Sequence, residues 1–417
     1  MSYEPLSDED AEAKRFEANG LFTPSAPIAI AEMFAGRARQ ASKIVDAVGE
    51  RGRHVIIYGE RGVGKSSMAQ IAPFFIPKTH RSIRYIRVQA FPGDTFSVVA
   101  KRIFSNIHLN EDYGEGNKTY SVSEFYPRDI TIDDFITEMQ YFKENEIPII
   151  VIDEFNEIDD EDTSILTANI IKALSDIGSN ATIMIVGVAD NITDLFERHH
   201  SIGRCTEQIM MPRMNTDERR DILDRRLGQL GMTMTDKAKR EIVNLSKGLP
   251  SYVHSLGKHA VFSALAKRSL TVSDNDVDFA IAEVTQSTQQ TLKDAYEHAT
   301  RSNNTRALFR HVLTACALAK VDETGFFMPA SVREPYSNIL KRQVEIAHFQ
   351  DTLQDFFADK KGQILERVGS ARNYRFRFRD PAMQPYVIMR GIRDGLIDET
   401  IKQALSSSDQ LDLFAND

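Results

Sequence analysis

The residues Gly59-Glu-Arg-Gly-Val-Gly-Lys-Ser66 have the spacing G-x-x-x-x-G-K-[ST] of a phosphate-binding loop. A nucleoside triphosphate needs a ring of backbone N–H donors, and Gly59, Gly62 and Gly64 leave room for the chain to wrap closely around it. Lys65 would reach the β- and γ-phosphates, Ser66 would offer a hydroxyl to Mg2+, and a helix starting near Lys65 would point its positive end at the anion. Glu60, Arg61, Val63 and Ser67 complete the candidate binding surface. A second constellation, Pro148-Ile-Ile-Val-Ile-Asp-Glu154, is an apolar run that ends in two acids. There Asp153 suits Mg2+ held through water, and Glu154 suits the orientation of an attacking water. The end of a third apolar run, Gly187-Val-Ala-Asp190-Asn191, puts a polar side chain between the other two. Either Asp190 or Asn191 can hold the hydrolytic water, or the pair caps a turn.

These residues must be positioned by strands and helices. His54 to Tyr58 reads as a short buried strand entering the loop, and Lys65 to Ala72 as a helix that Pro73 stops. A strand at Ile83 to Val88, helices at Asp94 to Ile107 and Thr131 to Asn145, and an amphipathic helix at Asp162 to Ile177 alternate with the acidic strand and with Ala181 to Val188. This alternation predicts an α/β fold with a parallel sheet whose strand ends converge on the ligand. Asn110 to Asp129, rich in Gly, Asn, Tyr and acids, reads as an exposed insertion.

The 417 residues are long enough for two or three domains, with 42% apolar and 27% charged residues. The longest apolar run, Ile147 to Ile152, is too short to span a bilayer, and the acidic start is no signal peptide. The two cysteines, Cys205 and Cys316, are not spaced for metal. A cytoplasmic protein is therefore expected, with no membrane partner. The formal charge of −9 argues against a chain coated in nucleic-acid-binding surface, yet residues 301 to 395 carry sixteen Lys and Arg against ten Asp and Glu.

The order of P-loop, Asp-Glu strand, polar strand end, then Ser201-Ile-Gly-Arg204 before a strand and a helix starting near Thr216, resembles the AAA+ ATPases. The likeness is to the replication-initiator and helicase-loader branch and to TniB-like transposition ATPases, over roughly residues 21 to 290. Phe34-Ala-Gly-Arg37 resembles the adenine-side motif of many ATPases. The resemblance implies ATP and Mg2+ as cofactors, a homo-oligomer, and Arg204 as an arginine finger reaching the nucleotide of a neighbouring subunit. It also implies a helical lid, for which Thr216 to Leu230, Thr235 to Ser246 and Ser251 to Lys267 have suitable lengths. Gly248-Leu-Pro250 matches the turn before the family's second sensor, but Ser251 stands where that sensor's arginine is expected. His254 or Lys258, one and two turns on, would be the substitutes, or else are packed or solvated side chains.

Residues 305 to 380 form a third unit: helices at Arg306 to Lys320 and Ile339 to Ala358, then strands at Gln363 to Arg367 and Tyr374 to Phe378, which together predict a winged helix. In Tyr374-Arg-Phe-Arg-Phe-Arg379 aromatics and arginines alternate, so the arginines share one face. Arg372, Arg375, Arg377 and Arg379 are the candidate contacts to DNA phosphates, or else a solvated face of a structural domain. Beyond it, Gln410-Leu-Asp-Leu-Phe414 resembles the pentapeptide with which bacterial polymerases and other replication factors dock on the sliding clamp. Gln410, Leu411, Leu413 and Phe414 would make that contact. The expected division is a flexible acidic arm (1–20), an ATPase core (21–213), a lid (214–295), a winged helix (300–395) and a flexible tail (396–417). The function so implied is an ATP-driven switch controlling a DNA-bound assembly. The alternative is a signalling or phage-defence NTPase whose winged helix packs on its own core and regulates a protein effector.

Overall fold

The computed structural model describes residues 6–24, 36–77, 81–113, 116–189, 200–302, 308–370 and 373–407. Its first part runs α1 (Asp8–Leu21), α2 (Ala38–Gly49), β1 (His54–Gly59), α3 (Lys65–Phe75), β2 (Ser82–Gln89), α4 (Phe96–Phe104), β3 (His108–Tyr113), β4 (Gly116–Ser121), α5 (Ile132–Gln140), β5 (Glu146–Asp153), α6 (Glu161–Asp176), β6 (Thr182–Val188) and β7 (Thr206–Met210). Five of these strands pair in parallel in the order β2-β5-β6-β1-β7. This is the parallel α/β sheet that was expected. β3 and β4 pair with each other in antiparallel register. Alternation along β1 divides the core in two. Val55 and Ile57 face an apolar cluster with α2 and α3, while Ile56 joins the opposite cluster, built with α4, α5 and α6.

The second part is α7 (Thr216–Leu230), β8 (Thr233–Met234), α8 (Asp236–Leu245), α9 (Pro250–Ala266), β9 (Thr271–Val272) and α10 (Asp274–Ser287). The third is α11 (Gln290–Thr300), α12 (Phe309–Leu318), α13 (Pro329–Leu340), α14 (Gln350–Phe357), β10 (Leu365–Val368), β11 (Arg375–Phe378), α15 (Met383–Arg393) and α16 (Glu399–Ser407). β10 and β11 form an antiparallel hairpin, and Phe327 bridges to Phe376 on its open side. The cluster that contains Val55 and Ile57 continues without a break through α7 to α10 and on to α12 and α15. The expected lid boundary at 295 falls inside α11, whose Tyr296 meets Tyr386 of α15 edge to face at 5.7 Å.

Three local expectations are corrected. Of the arm expected at 1–20, residues 8–20 are not loose: α1, capped by Ser7, lies on α7 and α9, buries Ala18 and holds Leu230's carbonyl with Lys14 at 2.5 Å. Its apolar residues, Ala11, Ala13, Phe16, Ala18 and Leu21, are few and mostly small, and Phe16 is exposed, so no stripe announces it. The helix expected over Ile339 to Ala358 is two, because Lys341 closes α13 in the left-handed region (φ 54°) and α14 begins at Gln350. Finally, α3 runs through Pro73 to Phe75. A proline donates nothing to the carbonyl four residues back. Here that carbonyl, on Ala69, accepts from the Tyr85 hydroxyl at 3.0 Å.

Candidate nucleotide site

Register brings the carboxyl ends of three strands together. Gly59 at the end of β1 pairs with Val188 at the end of β6, and Asp153 ends β5 beside them. Gly59 (φ 143°) must be glycine, since a Cβ there would lie 2.5 Å from Met211's carbonyl oxygen. Gly64, in the left-handed region at φ 98°, turns the loop into α3. Val63 is fully buried, and its carbonyl accepts from Arg37 at 3.4 Å.

Inside the loop, the buried Lys65 ammonium donates to the carbonyls of Gly59 (3.0 Å) and Glu60 (2.7 Å). Burial pulls its pKa down to about 8, against the opposing pull of Glu154, Asp153 and Glu60. Ser66 Oγ donates to Asp153 Oδ1 at 3.1 Å, so the two oxygens expected around Mg2+ already share one spot. That donor pair of hard oxygens fits Mg2+, whose remaining positions phosphate and water fill. Among the described residues no group of three or more His, Cys, Asp or Glu could hold a metal unaided. Asp153 is anchored by Arg87, at 2.5 Å. Glu154 next to it has φ 54°, a left-handed conformation that costs energy in a non-glycine residue and turns this side chain into the cavity. Asn156 ties the two strand ends by accepting Val188 N–H at 2.7 Å.

A cavity of about 520 Å3 lies over the loop, lined by Arg61, Gly62, Gly64, Lys65, Ser66, Ser67 and Glu154. Its roof comes from the helical segment (Leu249 to Tyr252, His254, Ser255) and from Val284 to Leu292. Asp380 and Ala382 add a wall from the third part. Glu60, the second loop residue, points elsewhere. Arg213, just beyond β7, clamps it with two bonds (2.6 and 3.1 Å) and donates on to Gln384 of α15 at 2.5 Å. All three side chains are buried, and Gln384 in turn donates to Ala317's carbonyl.

Ser251 lines the cavity and supplies only a hydroxyl. Both candidate substitutes for the arginine take the alternative reading, that of packed or solvated side chains. His254 is buried and uses Nδ1 to accept Thr23 N–H (3.1 Å), and burial lowers its pKa to about 3, so the ring is neutral. Lys258 sits over the ring of Phe262 and lines none of the cavity. Arg204 is exposed, 3.9 Å from Asp176, at the entry to β7 and so at the far end of the sheet from the loop. In the hairpin, Phe376 and Phe378 are buried as the alternation required. Arg375 pairs with Asp322 (3.0 Å) and Arg377 with Glu366, both guanidiniums over the Phe326 ring. Asp190, Asn191, Arg372 and the tail residues Gln410, Leu411, Leu413 and Phe414 lie outside the described residues, as does Phe34. Sequence reasoning missed Arg87, Asn156, Arg213 and Gln384. Their partners lie 32 to 171 positions away, and no local pattern marks such pairs.

The model of one family, described as Novel STAND NTPase 1, matches residues 28–359. Among solved structures, the ORC2 protein of Aeropyrum pernix, in ADPNP-ADP complexes, aligns with a TM-score of 0.51 at 14% identity, over 92% of this chain and 97% of its own. A Walker-type ATPase of Pyrococcus abyssi aligns with a TM-score of 0.50 at 16% identity, over 89% and 99%. At these identities the likeness is one of fold. No curated protein matches the chain.

Proposed function

The chain belongs to the Novel STAND NTPase 1 family, and from that premise we propose that it is an ATP-hydrolysing switch whose C-terminal unit, a winged helix at 300–395, reads the state of the nucleotide. The observation that carries this is the make-up of the cavity, which takes its floor from the core, its roof from the lid (214–295) and one wall from Asp380 and Ala382. In the proposed mechanism the N–H groups of the loop and the Lys65 ammonium hold the phosphates. Ser66 and Asp153 hold Mg2+, which supplies charge neutralisation on the phosphate oxygens when bound. Glu154 orients the attacking water, together with Asp190 or Asn191, and Arg204 completes the site of a neighbouring subunit in a homo-oligomer. The Glu60–Arg213–Gln384 bridge supports a direct mechanical link from loop to C-terminal unit.

The test is paired. Lys65→Ala loses nucleotide binding in an equilibrium titration, whereas Glu154→Gln binds ATP normally and loses turnover, because only the second substitution spares the phosphate contacts. Equal loss of binding in both would sink the assignment of roles.

A second reading, supported by the basic excess over 301 to 395 and by the exposed Arg333, Lys341, Arg342, Arg379 and Arg393, is that the switch controls an assembly on DNA. Anisotropy titrations with duplex DNA at several salt concentrations test it: affinity should fall steeply with salt. Salt-independent or absent binding favours the alternative, an effector protein. The tail motif Gln410 to Phe414 adds recruitment by a sliding clamp, tested by titrating a peptide of residues 400 to 417 with the clamp. A peptide that does not bind removes that partner.

A further inference from the structure

Beside the nucleotide cavity opens a second one of about 480 Å3, and the two share Arg61, Val188 and Asp380. Its remaining walls are Glu60, Ala189, Arg377, Arg379 and Pro381, so the loop faces the exit of the β10–β11 hairpin across it. We propose that Arg379 is the residue that detects the third phosphate from within the same chain, taking the part for which Ser251 has no charge.

Four observations support this. The first is where the terminal phosphate must lie. Lys65 and Glu154 both line the nucleotide cavity, and a γ-phosphate attacked by water that Glu154 orients sits on the Glu154 and Val188 side. Val188 is where the two cavities join.

The second is the state of the hairpin's arginines. Arg375 and Arg377 are committed to Asp322 and Glu366. Arg379 is exposed, and its guanidinium has no hydrogen-bond or ion-pair partner among the described residues. The third is that its backbone is fixed. Arg379 N–H donates to Ile364's carbonyl at 3.1 Å, Asp380 accepts Ala382 N–H at 2.9 Å, and Tyr252 of the lid donates to Ala382's carbonyl at 2.8 Å. Such a support fixes where the side chain leaves the backbone beside the cavity, and the guanidinium itself would become ordered on meeting phosphate.

The fourth is the charge around it. Two carboxylates face the same cavity. Glu60 is neutralised by Arg213, while Asp380 sits next to Arg379 and is engaged through Oδ1. That leaves Arg379, with the exposed Arg61, to meet an incoming anion. On this placement a diphosphate would end short of the junction and engage neither the hairpin nor its turn. Triphosphate would thus pull the hairpin onto the core, and hydrolysis would release it.

This inference rests on the P-loop holding nucleotide as proposed above. The experiment is an equilibrium titration of the full chain with fluorescent ADP and with a fluorescent, slowly hydrolysed ATP analogue. Arg379→Ala should weaken the triphosphate analogue by about ten- to a hundredfold, as expected for losing hydrogen bonds to a charged group, and leave ADP affinity within about twofold. Arg379→Lys should recover part of the preference, and Arg375→Ala should retain it. Mixing Arg379→Ala with Lys65→Ala protein should restore nothing, since the residue acts in its own chain. An unchanged ratio of triphosphate to diphosphate affinity, equal loss of both, or rescue by mixing overturns the inference. Wild-type protein that binds neither nucleotide overturns the nucleotide site itself, and this inference with it.

Discussion

Lys65 is buried where its charge is costly, a cost that a bound phosphate would repay. Its ammonium rests on two carbonyls, and burial holds its pKa near 8, even with Glu154, Asp153 and Glu60 close by. A bound phosphate favours the charged form and must raise that pKa. Binding above the free value therefore takes up a proton. The affinity gained from Lys65 is fully present below pH 8 and is lost as pH rises through it, by about tenfold per unit until the bound-state value is reached. Calorimetric titrations with ADP in two buffers of different ionisation enthalpy should show proton uptake at pH 8.5 and none at pH 6.5. Uptake that does not change with pH would mean that Lys65 is not the titrating group.

At the scale of elements, the legible parts were those with a local cause. The loop's glycines, the run ending in Asp153 and Glu154, and the apolar spacing of Thr216–Leu230 each depend on residues a few positions apart, and the structure has an element at each. What could not be read depends on distant partners. The helix α3 runs on through Pro73 while Tyr85, from the next strand, supplies the donor that Ala69's carbonyl lacks. α1 is a helix because Lys14 and Phe22 find partners in α7 and α9, and Glu60 looks like a binding residue until Arg213 is seen to claim it. The same reasoning yields a prediction. Tyr85→Phe leaves the ring's packing and strips Ala69's carbonyl of its donor, which should cost about 1–2 kcal/mol in a urea unfolding titration. A second substitution, Pro73→Ala, restores an N–H to that carbonyl, so in its presence Tyr85→Phe should cost little. Equal cost in both backgrounds would show that the hydroxyl is not what sustains the end of α3.

For the whole molecule, the decisive geometry is the distance between Arg204 and the loop. β7 lies parallel to β1 with Thr206 opposite His54, so Arg204 enters at the amino end of the sheet while Gly59 leaves at the carboxyl end. The five steps from His54 to Gly59, at about 3.3 Å each, put roughly 16 Å of strand between them before the loop begins. Arg204 cannot bridge that span. Its exposed guanidinium, whose ion-pair partner among the described residues is Asp176 at 3.9 Å, could serve a second copy of the chain packed head to tail, an arrangement that repeats the same interface from one subunit to the next. Arg204→Ala protein should then bind ATP as well as wild type and lose turnover. Mixing it with Lys65→Ala protein should bring activity back, because one variant supplies the pocket and the other the finger. With random assembly about a quarter of interfaces pair an intact pocket with an intact finger, so the mixture should recover about that share of wild-type turnover. The recovery should vanish on dilution below the concentration at which subunits associate. Turnover by Arg204→Ala alone, or a mixture no more active than its components, would show that Arg204 does not act between subunits, and hydrolysis would then have to be completed by groups of a single chain.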